Sequence, residues 1–286
     1  MIDKKVLRIN FSRNAANYDN YANVQKKMAQ DLLNFFLVKG DKGQEEDGPI
    51  ISNKNIDILE VGCGTGYLTK RLCTLYPEAQ ITAVDIAPGM IDYAQKKLNH
   101  QNLDFLCGDI EEIGIPKKFD LIISNATFQW FNQPGETLAK LDSLLKHQGL
   151  LIFSTFGNKT FQELHHSYAK AKEILQLSTD ASPGQNFFHR EELLQLLHEK
   201  VTSKTPSPYH ITTMEKEEIE YFASVRDFLK SIKKVGASNS NCNRLAHPTL
   251  LKEMIRIYEQ TYHSSNKTQA TYHCLYFKIE KREDLS

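Results

Sequence analysis

"DILEVGCGTGYLTKRL", residues 57–72, is a short apolar run that gives way to three glycines and then resumes as a helix-like pattern. A buried strand running through a glycine-rich turn into a helix opens a nucleotide-binding βαβ unit. In such a unit the glycines let the backbone close on a ligand at the helix N-terminus. The spacing narrows the ligand. The dinucleotide fingerprint is G-x-G-x-x-G, whereas here Gly62, Gly64 and Gly66 alternate with Cys63 and Thr65, so the third glycine comes one residue early. No Gly-Lys-Ser/Thr follows, which excludes a Walker phosphate loop. An acid, Glu60, stands two residues before the first glycine.

The rhythm continues outward from this stretch. "IDILEV" reads as a first strand and 66–74 as a helix; "QITAVDI" follows as a second strand, then a helix around "GMIDYAQKKL". "LDFLCGDI" and "FDLIISNA" read as strands three and four, and "LLIFSTF" as a fifth. Between the last two, Leu138, Leu141, Leu144 and Leu145 predict a helix over 136–146 that Gly149 stops. Strand–helix alternation predicts an α/β fold, a doubly wound and mostly parallel sheet. Upstream, Met28, Leu32, Phe35 and Phe36 predict an amphipathic helix over 24–37, which runs into a polar connector at 39–55. Beyond 156 the pattern predicts helices near 159–176, 190–199, 224–234 and 249–262, with strands at 209–222 and in "TYHCLYFKIEKR".

Composition bounds the function. Hydrophobic residues make up 41% and charged residues 24%, enough for a packed core, and the net charge of zero argues against a broad basic field for nucleic acid. Cys63, Cys73, Cys107, Cys242 and Cys274 form no CxxC pair, an odd and scattered set that reads as reduced thiols in a cytoplasm. The opening has no hydrophobic h-region and no run approaches eighteen apolar residues, so neither secretion nor a membrane span is expected. The histidines, His165 and His166, His189 and His273, lack partners at ligand spacing, so no metal site is expected.

E-x-G-x-G-x-G at the end of a first strand resembles motif I of the class I S-adenosylmethionine methyltransferases. Three further polar residues stand at successive strand ends: Asp85 in "AVDIAPGM", Asp109 in "CGDIEE" and Asn125 in "IISNATFQW". Any one of them also reads as a helix cap or turn residue; their coincidence with the glycine loop is what points to a ligand crevice. The resemblance implies that Glu60, Gly62, Gly64 and Gly66 belong to the cofactor site. It implies that Asp85, with Ile86 beside it, accepts the ribose hydroxyls. Asp109 would meet the adenine amino group, Ile110 pack beside the ring, and Asn125 stand near the methionine end.

The acceptor is argued from other segments. "FSRNAANYDNYANVQ" at 11–25 is similar to the N-terminus of the malonyl-acyl-carrier-protein O-methyltransferases of biotin synthesis, through Phe11, Arg13, Ala15, Ala16, Tyr18, Ala22 and Gln25. Asn125, Gln129 and Trp130 match that family's stretch after strand four, and "LKSIKKVGA" at 229–237 matches its most diagnostic signature. The resemblance implies methyl transfer to the free carboxylate of a malonyl group on acyl carrier protein, or on coenzyme A. It also implies a helical lid at the N-terminus and a helical insertion before the last strand. Three regions follow: a lid and helix over 1–38, a cofactor-binding core over 56–156, and an insertion with acceptor and partner surfaces and closing strands over 157–286.

A carboxylate with a pKa of about 4 is already ionised at neutral pH, so no catalytic acid or base is required. Positioning and exclusion of water should dominate instead. Phe11, Tyr18 and Tyr21 are candidates for a lid over the cofactor, Trp130 and Phe128 for the acceptor wall, and Gln129 for a donor to the carboxylate. In "SVRDFLKSIKKVGAS", Ser224 and Asp227 have capping spacing, and Val225, Phe228, Leu229 and Ile232 form one stripe. Arg226, Lys230, Lys233 and Lys234 face the other way. That cationic face is a candidate docking patch for an acidic carrier protein through Arg226, Lys230 and Lys234, with Lys233 alternatively reaching the phosphopantetheine or the malonyl group. The alternatives are the same fold acting on another small carboxylate or a quinone-type carbon, or a non-catalytic cofactor-binding assembly protein. "SNATF" lacks the Asn/Asp-Pro-Pro-aromatic motif of DNA amino-methylation.

Overall fold

In the computed structural model, β1 (Asp57–Val61), β2 (Gln80–Asp85), β3 (Leu103–Cys107), β4 (Phe119–Ser124), β5 (Leu145–Phe156), β6 (Tyr209–Phe222) and β7 (Lys267–Lys281) share one sheet. The structure describes residues 1–39, 48–49, 51, 55–178, 182–201, 209–236 and 248–281. The strand order is β3-β2-β1-β4-β5-β7-β6. The first five strands pair in parallel, while β7 runs antiparallel to both β5 and β6. The chain reverses direction away from β1 on either side of it, which places the crevice over the C-terminal ends of β1 and β4.

Helices cover both faces. On one, α2 (Asn23–Phe36), α3 (Tyr67–Leu75), α6 (Gln162–Ile174) and α9 (Pro248–Tyr262) pack onto Ile58, Leu121, Ile123 and Tyr276. On the other, α5 (Pro134–Ser143) and α7 (Arg190–Lys200) pack onto Leu59, Ile122, Leu151 and Phe277. Successive residues of β4 and β7 thus enter opposite cores, the period-2 geometry of strands buried on both faces. Because β6 and β7 extend the sheet of β1–β5, the C-terminal region shares these cores instead of forming a layer of its own.

The remaining helices shape the site. α1 (Lys4–Tyr18) starts at Asp3, whose carboxylate accepts the N–H groups of Lys5 (2.9 Å) and Val6 (3.1 Å). It lies against α4 (Pro88–Lys97), burying Ala15 with Ala87 and Met90. α8 (Val225–Lys234) starts at Ser224, whose Oγ accepts the Asp227 N–H at 3.1 Å.

One element differs from the sequence reading. α5 ends at Ser143, and Leu145, counted above in a helical stripe, opens β5 opposite Phe119. The register then shifts so that Leu121 pairs with Leu150, with Gln148 at φ +59° inside the bulge. Gly149 is therefore a bulge residue and not a helix stop: a Cβ there would come within 2.9 Å of the Lys146 carbonyl. The leucines satisfy both periodicities, and sheet pairing decides between them. Of the connector at 39–55, Lys39 and Gly48 pair across a short ribbon and most of the rest lies outside the described residues.

Candidate active site

The turn after β1 adopts left-handed backbone at Gly62 (φ +77°), Gly64 (+54°) and Gly66 (+83°). The first two differ in purpose. A Cβ on Gly62 would lie 2.1 Å from Thr127 Oγ1, whereas a Cβ on Gly64 would meet nothing within 4 Å. Gly62 allows the loop to pack on the segment after β4, and Gly64 opens onto a chamber. Asp85 fastens the loop from β2, its Oδ2 accepting the Gly64 N–H at 2.9 Å and its Oδ1 the Ala87 N–H at 2.8 Å. Burial outweighs these two bonds and raises the Asp85 carboxyl to about 6.

That chamber spans about 640 Å³, part of it open to solvent. It brings together Gly62, Gly64, Asp85, Ile86, Asp109, Ile110 and Asn125 from the ends of four strands. Glu60 and Gly66 do not line it. Gly66 is the N-cap of α3, and Glu60 lies beneath the loop at 1% exposure with Oε2 unpartnered. Burial raises the Glu60 carboxyl to about 8, an interaction with Thr69 opposing and the charge of Asp85 adding. Asp109 is paired with Lys4 of α1 at 3.1 Å, and the same ammonium reaches Glu111 at 2.6 Å. The Asn125 amide is bonded inside the protein, Nδ2 donating to the Gln25 carbonyl (2.9 Å) and Oδ1 accepting from Ser154 Oγ (2.8 Å), which leaves one N–H of Nδ2 beyond these bonds.

A second chamber of about 800 Å³ adjoins the first, and Phe11, Tyr18, Ala126 and Trp130 line both. Trp130 meets Phe11 edge-on at 5.6 Å between centroids. Ala126 holds φ +51°, a strained conformation for an alanine, and its carbonyl accepts Gln129 Nε2 at 2.6 Å. Gln129 Oε1 in turn accepts from Thr155 Oγ1 at 3.0 Å, so this buried amide braces the shared wall and retains one N–H beyond these bonds. Burial, with Asp85 and Asp19 nearby, pushes the Tyr18 hydroxyl well above the ordinary phenol range. Tyr21 and Gln25 also line this chamber.

The segment at 229–237 contributes differently from expectation. Ser231, Ile232 and Val235 line the second chamber, and Gly236 (φ +74°) lies so close to α1 that a Cβ would be 3.1 Å from Phe11 Cδ1; Ala237 lies outside the described residues. Arg226, Lys230, Lys233 and Lys234 are exposed. Lys233 lines neither chamber, because at 100° per residue a helix that turns Ser231, Ile232 and Val235 inward carries Lys233 outward. Phe128 is not an acceptor wall either. It is fully buried in a stacked column with Phe153 (3.9 Å), which stacks on Phe277 (4.7 Å).

Residues 52–223 match the family profile described as a methyltransferase domain. A relative from Acetivibrio thermocellus, named malonyl-(acyl-carrier protein) O-methyltransferase, is 49% identical over 99% of this chain and 95% of its own. One from Priestia megaterium with the same name is 47% identical over 98% and 99%. The chain belongs to the malonyl-(acyl-carrier protein) O-methyltransferase family. Its fold is shared more widely: a crystal structure from Bacillus halodurans superposes with a TM-score of 0.56 at 13% identity, covering 90% of this chain and 100% of that one.

In this methyltransferase α1 is latched over the first chamber at four places. Ile2 N–H donates to Asn132 Oδ1 (2.7 Å), Lys4 holds Asp109, and Gly89 N–H donates to Ser12 Oγ (3.2 Å). At the far end Asp19 accepts from Thr65 Oγ1 and from Lys97, each at 2.5 Å. Lys4, Ser12, Asp19, Thr127 and Asn132 were not singled out from sequence. Each acts across more than forty positions, and no local spacing marks such a partner.

Proposed function

We propose that this chain transfers a methyl group from S-adenosylmethionine to the free carboxylate of a malonyl thioester, malonyl-acyl carrier protein foremost, giving the methyl ester that primes pimelate formation for biotin. The carrying observation is the pair of chambers that share the Phe11–Tyr18–Ala126–Trp130 wall, so that donor and acceptor meet there.

The first chamber suits this cofactor. Gly64 leaves open space where a side chain would stand, and Asp85 and Asp109 offer carboxylates to hydroxyl and amino groups. A diphosphate would be repelled by those same two negative groups, whereas a cationic sulfonium ligand would not be. Asp85 and Ile86 would hold the ribose, Asp109 and Ile110 the adenine, and Gly62 and Gly64 the backbone side of the amino acid. Glu60, Gly66 and Asn125 act one step back: Gly66 starts α3, Glu60 supports the loop, and Asn125 braces α2 against β5. The cofactor supplies an electrophilic methyl on a cationic sulfur.

The chain supplies position and dryness. Its acceptor carboxylate arrives ionised, so no base is needed. Tyr18, whose hydroxyl stays protonated through neutral pH, can donate a hydrogen bond to that carboxylate but cannot remove a proton. Among the described residues lining the second chamber there is no lysine or arginine, so no ion pair draws charge away from the attacking oxygen. Attack of an anion on a sulfonium destroys charge, and water favours the separated ions; an aromatic wall therefore raises the rate. The exposed Arg226, Lys230, Lys233 and Lys234 of α8 flank residues of this chamber and would steer an acidic carrier protein toward it.

The test is transfer of labelled methyl from S-adenosylmethionine to malonyl-acyl carrier protein, with acetyl- and succinyl-acyl carrier protein and malonyl-coenzyme A in parallel. Base-labile label on the malonyl species alone is the expected result. Label on a free dicarboxylate or a quinone instead would move the acceptor to those classes.

A further inference from the structure

The two chambers continue into a third space. Gln185 and Phe187 line the second chamber and also an open groove of about 920 Å³, whose other walls include Asn158, His165, Asn186 and His189. From the first chamber outward the order is a polar chamber, a shared aromatic wall, a largely apolar chamber, the shared boundary at Gln185 and Phe187, and a polar groove. We infer that the second chamber and this groove hold the pantetheine arm of the acyl thioester, which passes between Gln185 and Phe187 and presents its acyl end at the Tyr18–Ala126–Trp130 wall. The inference rests on the malonyl-thioester reading above and adds the route and the residues that read the arm.

Extent is the first argument. The lining of the second chamber runs from Tyr18 and Trp130 through Phe161 and Ile232 to Gln185 and Phe187, more than a three-carbon acyl group touches. Chemistry is the second. A pantetheine arm combines short alkyl stretches with amides, and the chamber is lined by both kinds of partner, Phe156, Phe161 and Phe187 beside Gln25, Gln185 and Ser231. The third is an unfilled bond. Gln185 Nε2 donates to the Gln129 carbonyl, which fixes the orientation of its amide, and Gln185 Oε1 is buried without a partner. A buried acceptor left unmade is costly, and an amide N–H of the arm would satisfy it. The same contact has a consequence at the reacting end, because Gln129 holds the Ala126 carbonyl of the shared wall. A seated arm would thus rigidify the surface on which its own acyl group rests. Coenzyme A and carrier protein present the same arm, so the proposal concerns what they share.

The experiment compares Gln185→Met, near in size but without the acceptor, and Phe187→Trp, which narrows the passage, with wild type. The acceptors are malonyl-acyl carrier protein, malonyl-coenzyme A and the S-methyl thioester of malonic acid, which has no arm. Cofactor affinity, measured by calorimetry, is the folding control. Both variants are expected to lower kcat/KM for the two arm-bearing substrates about 10-fold, mainly through KM, and to change the methyl thioester less than about 2-fold, the scale of one lost hydrogen bond. Acyl-free pantetheine should inhibit wild type competitively and Gln185→Met about 10-fold less. Equal losses on all three thioesters, or no inhibition of wild type by pantetheine, overturn the route while leaving the function standing. A wild type that methylates no malonyl thioester overturns the function and the route with it.

Discussion

The two chambers are built by opposite means. Apart from Lys4 and Tyr18 of α1, the polar groups of the first stand within a few residues of a strand end: Gly62 and Gly64 after β1, Asp85 at the end of β2, Asp109 after β3, Asn125 and Thr127 after β4. The walls of the second come from α1, the turn at 126–130, β5, the start of α6, the loop at 183–187, α8 and β7, and most of them are aromatic or aliphatic. A site that reads functional groups can be written into short motifs, because a parallel sheet delivers strand ends to one place. A site that reads shape is assembled by tertiary packing, and its residues look like core residues until they are folded. The contrast can be tested by perturbing each means of construction.

The largest effect is expected at the glycine loop, and it should separate its two glycines. Gly62→Ala forces a Cβ to 2.1 Å from a threonine that is stiff at χ1 and whose Oγ1 donates to the Asn125 carbonyl at 3.0 Å, all at positive φ. A loss of about 3 kcal/mol in stability, read by denaturant unfolding, and a fall of at least 100-fold in methyl transfer are expected. Gly64→Ala meets no atom, so its stability cost should stay near 1 kcal/mol, while its methyl intrudes on the first chamber and weakens the cofactor. Comparable stability losses in both variants would mean that the loop acts as one strained unit, and the distinction between packing glycine and ligand glycine would fall.

Legibility in the sequence follows the same division. The five parallel strands, the cofactor motif and the strand-end residues could be read because period-2 runs, alternating glycines and terminal acids are local signals. The sequence even suggested β6 over 209–222, the span observed. What failed did so at places where tertiary pairing decides. Leu145 fits a helical stripe but pairs with Phe119, and Phe128 looks like a pocket aromatic but stacks between β5 and the core. The signature at 229–237 was recognisable, yet its lysines drew attention while Ile232, Val235 and Gly236 do the shaping. A charged residue is conspicuous in a sequence; a chamber wall is conspicuous only once its distant neighbours are in place.

The lid sharpens the comparison because it belongs to both chambers. Asp19 ties α1 to Thr65 of the glycine loop and to Lys97 of α4, and Tyr18 just before it is shared wall. The Lys97 pair is partly exposed and contributes little, whereas a hydroxyl on a partly buried carboxylate is worth about 1.5–3 kcal/mol. Asp19→Ala should therefore weaken cofactor binding about 10-fold, raise the acceptor KM by a similar factor and lower the thermal midpoint by a few degrees. A cofactor effect with an unchanged acceptor KM would show that the wall at Tyr18 holds without the latch.

The smallest effect on turnover is expected at Glu60, where the motif and the geometry disagree. As part of a cofactor motif it should be needed for binding; in the structure it lies under the loop and outside the chamber, so Glu60→Gln should change cofactor affinity less than about 3-fold, the scale of one modest hydrogen bond. Its signature lies in stability against pH. The folded carboxyl titrates near 8 against an ordinary 4.5, so the folded protein keeps a proton that the unfolded chain releases. Stability tied to that proton is fully present below about 4.5 and is lost as pH rises through about 8. Glutamine cannot titrate. The variant should gain on wild type steadily between those limits; Asp85, raised to about 6, is common to both proteins and largely cancels from their difference. The difference in denaturant midpoint between the two proteins, measured across that range, reads it directly. A difference that stays flat would place the charge of Glu60 in the fold at neutral pH. A large loss of cofactor affinity with that flat profile would return Glu60 to the first chamber, and the line between the residues that build it and those that line it would move inward by one residue.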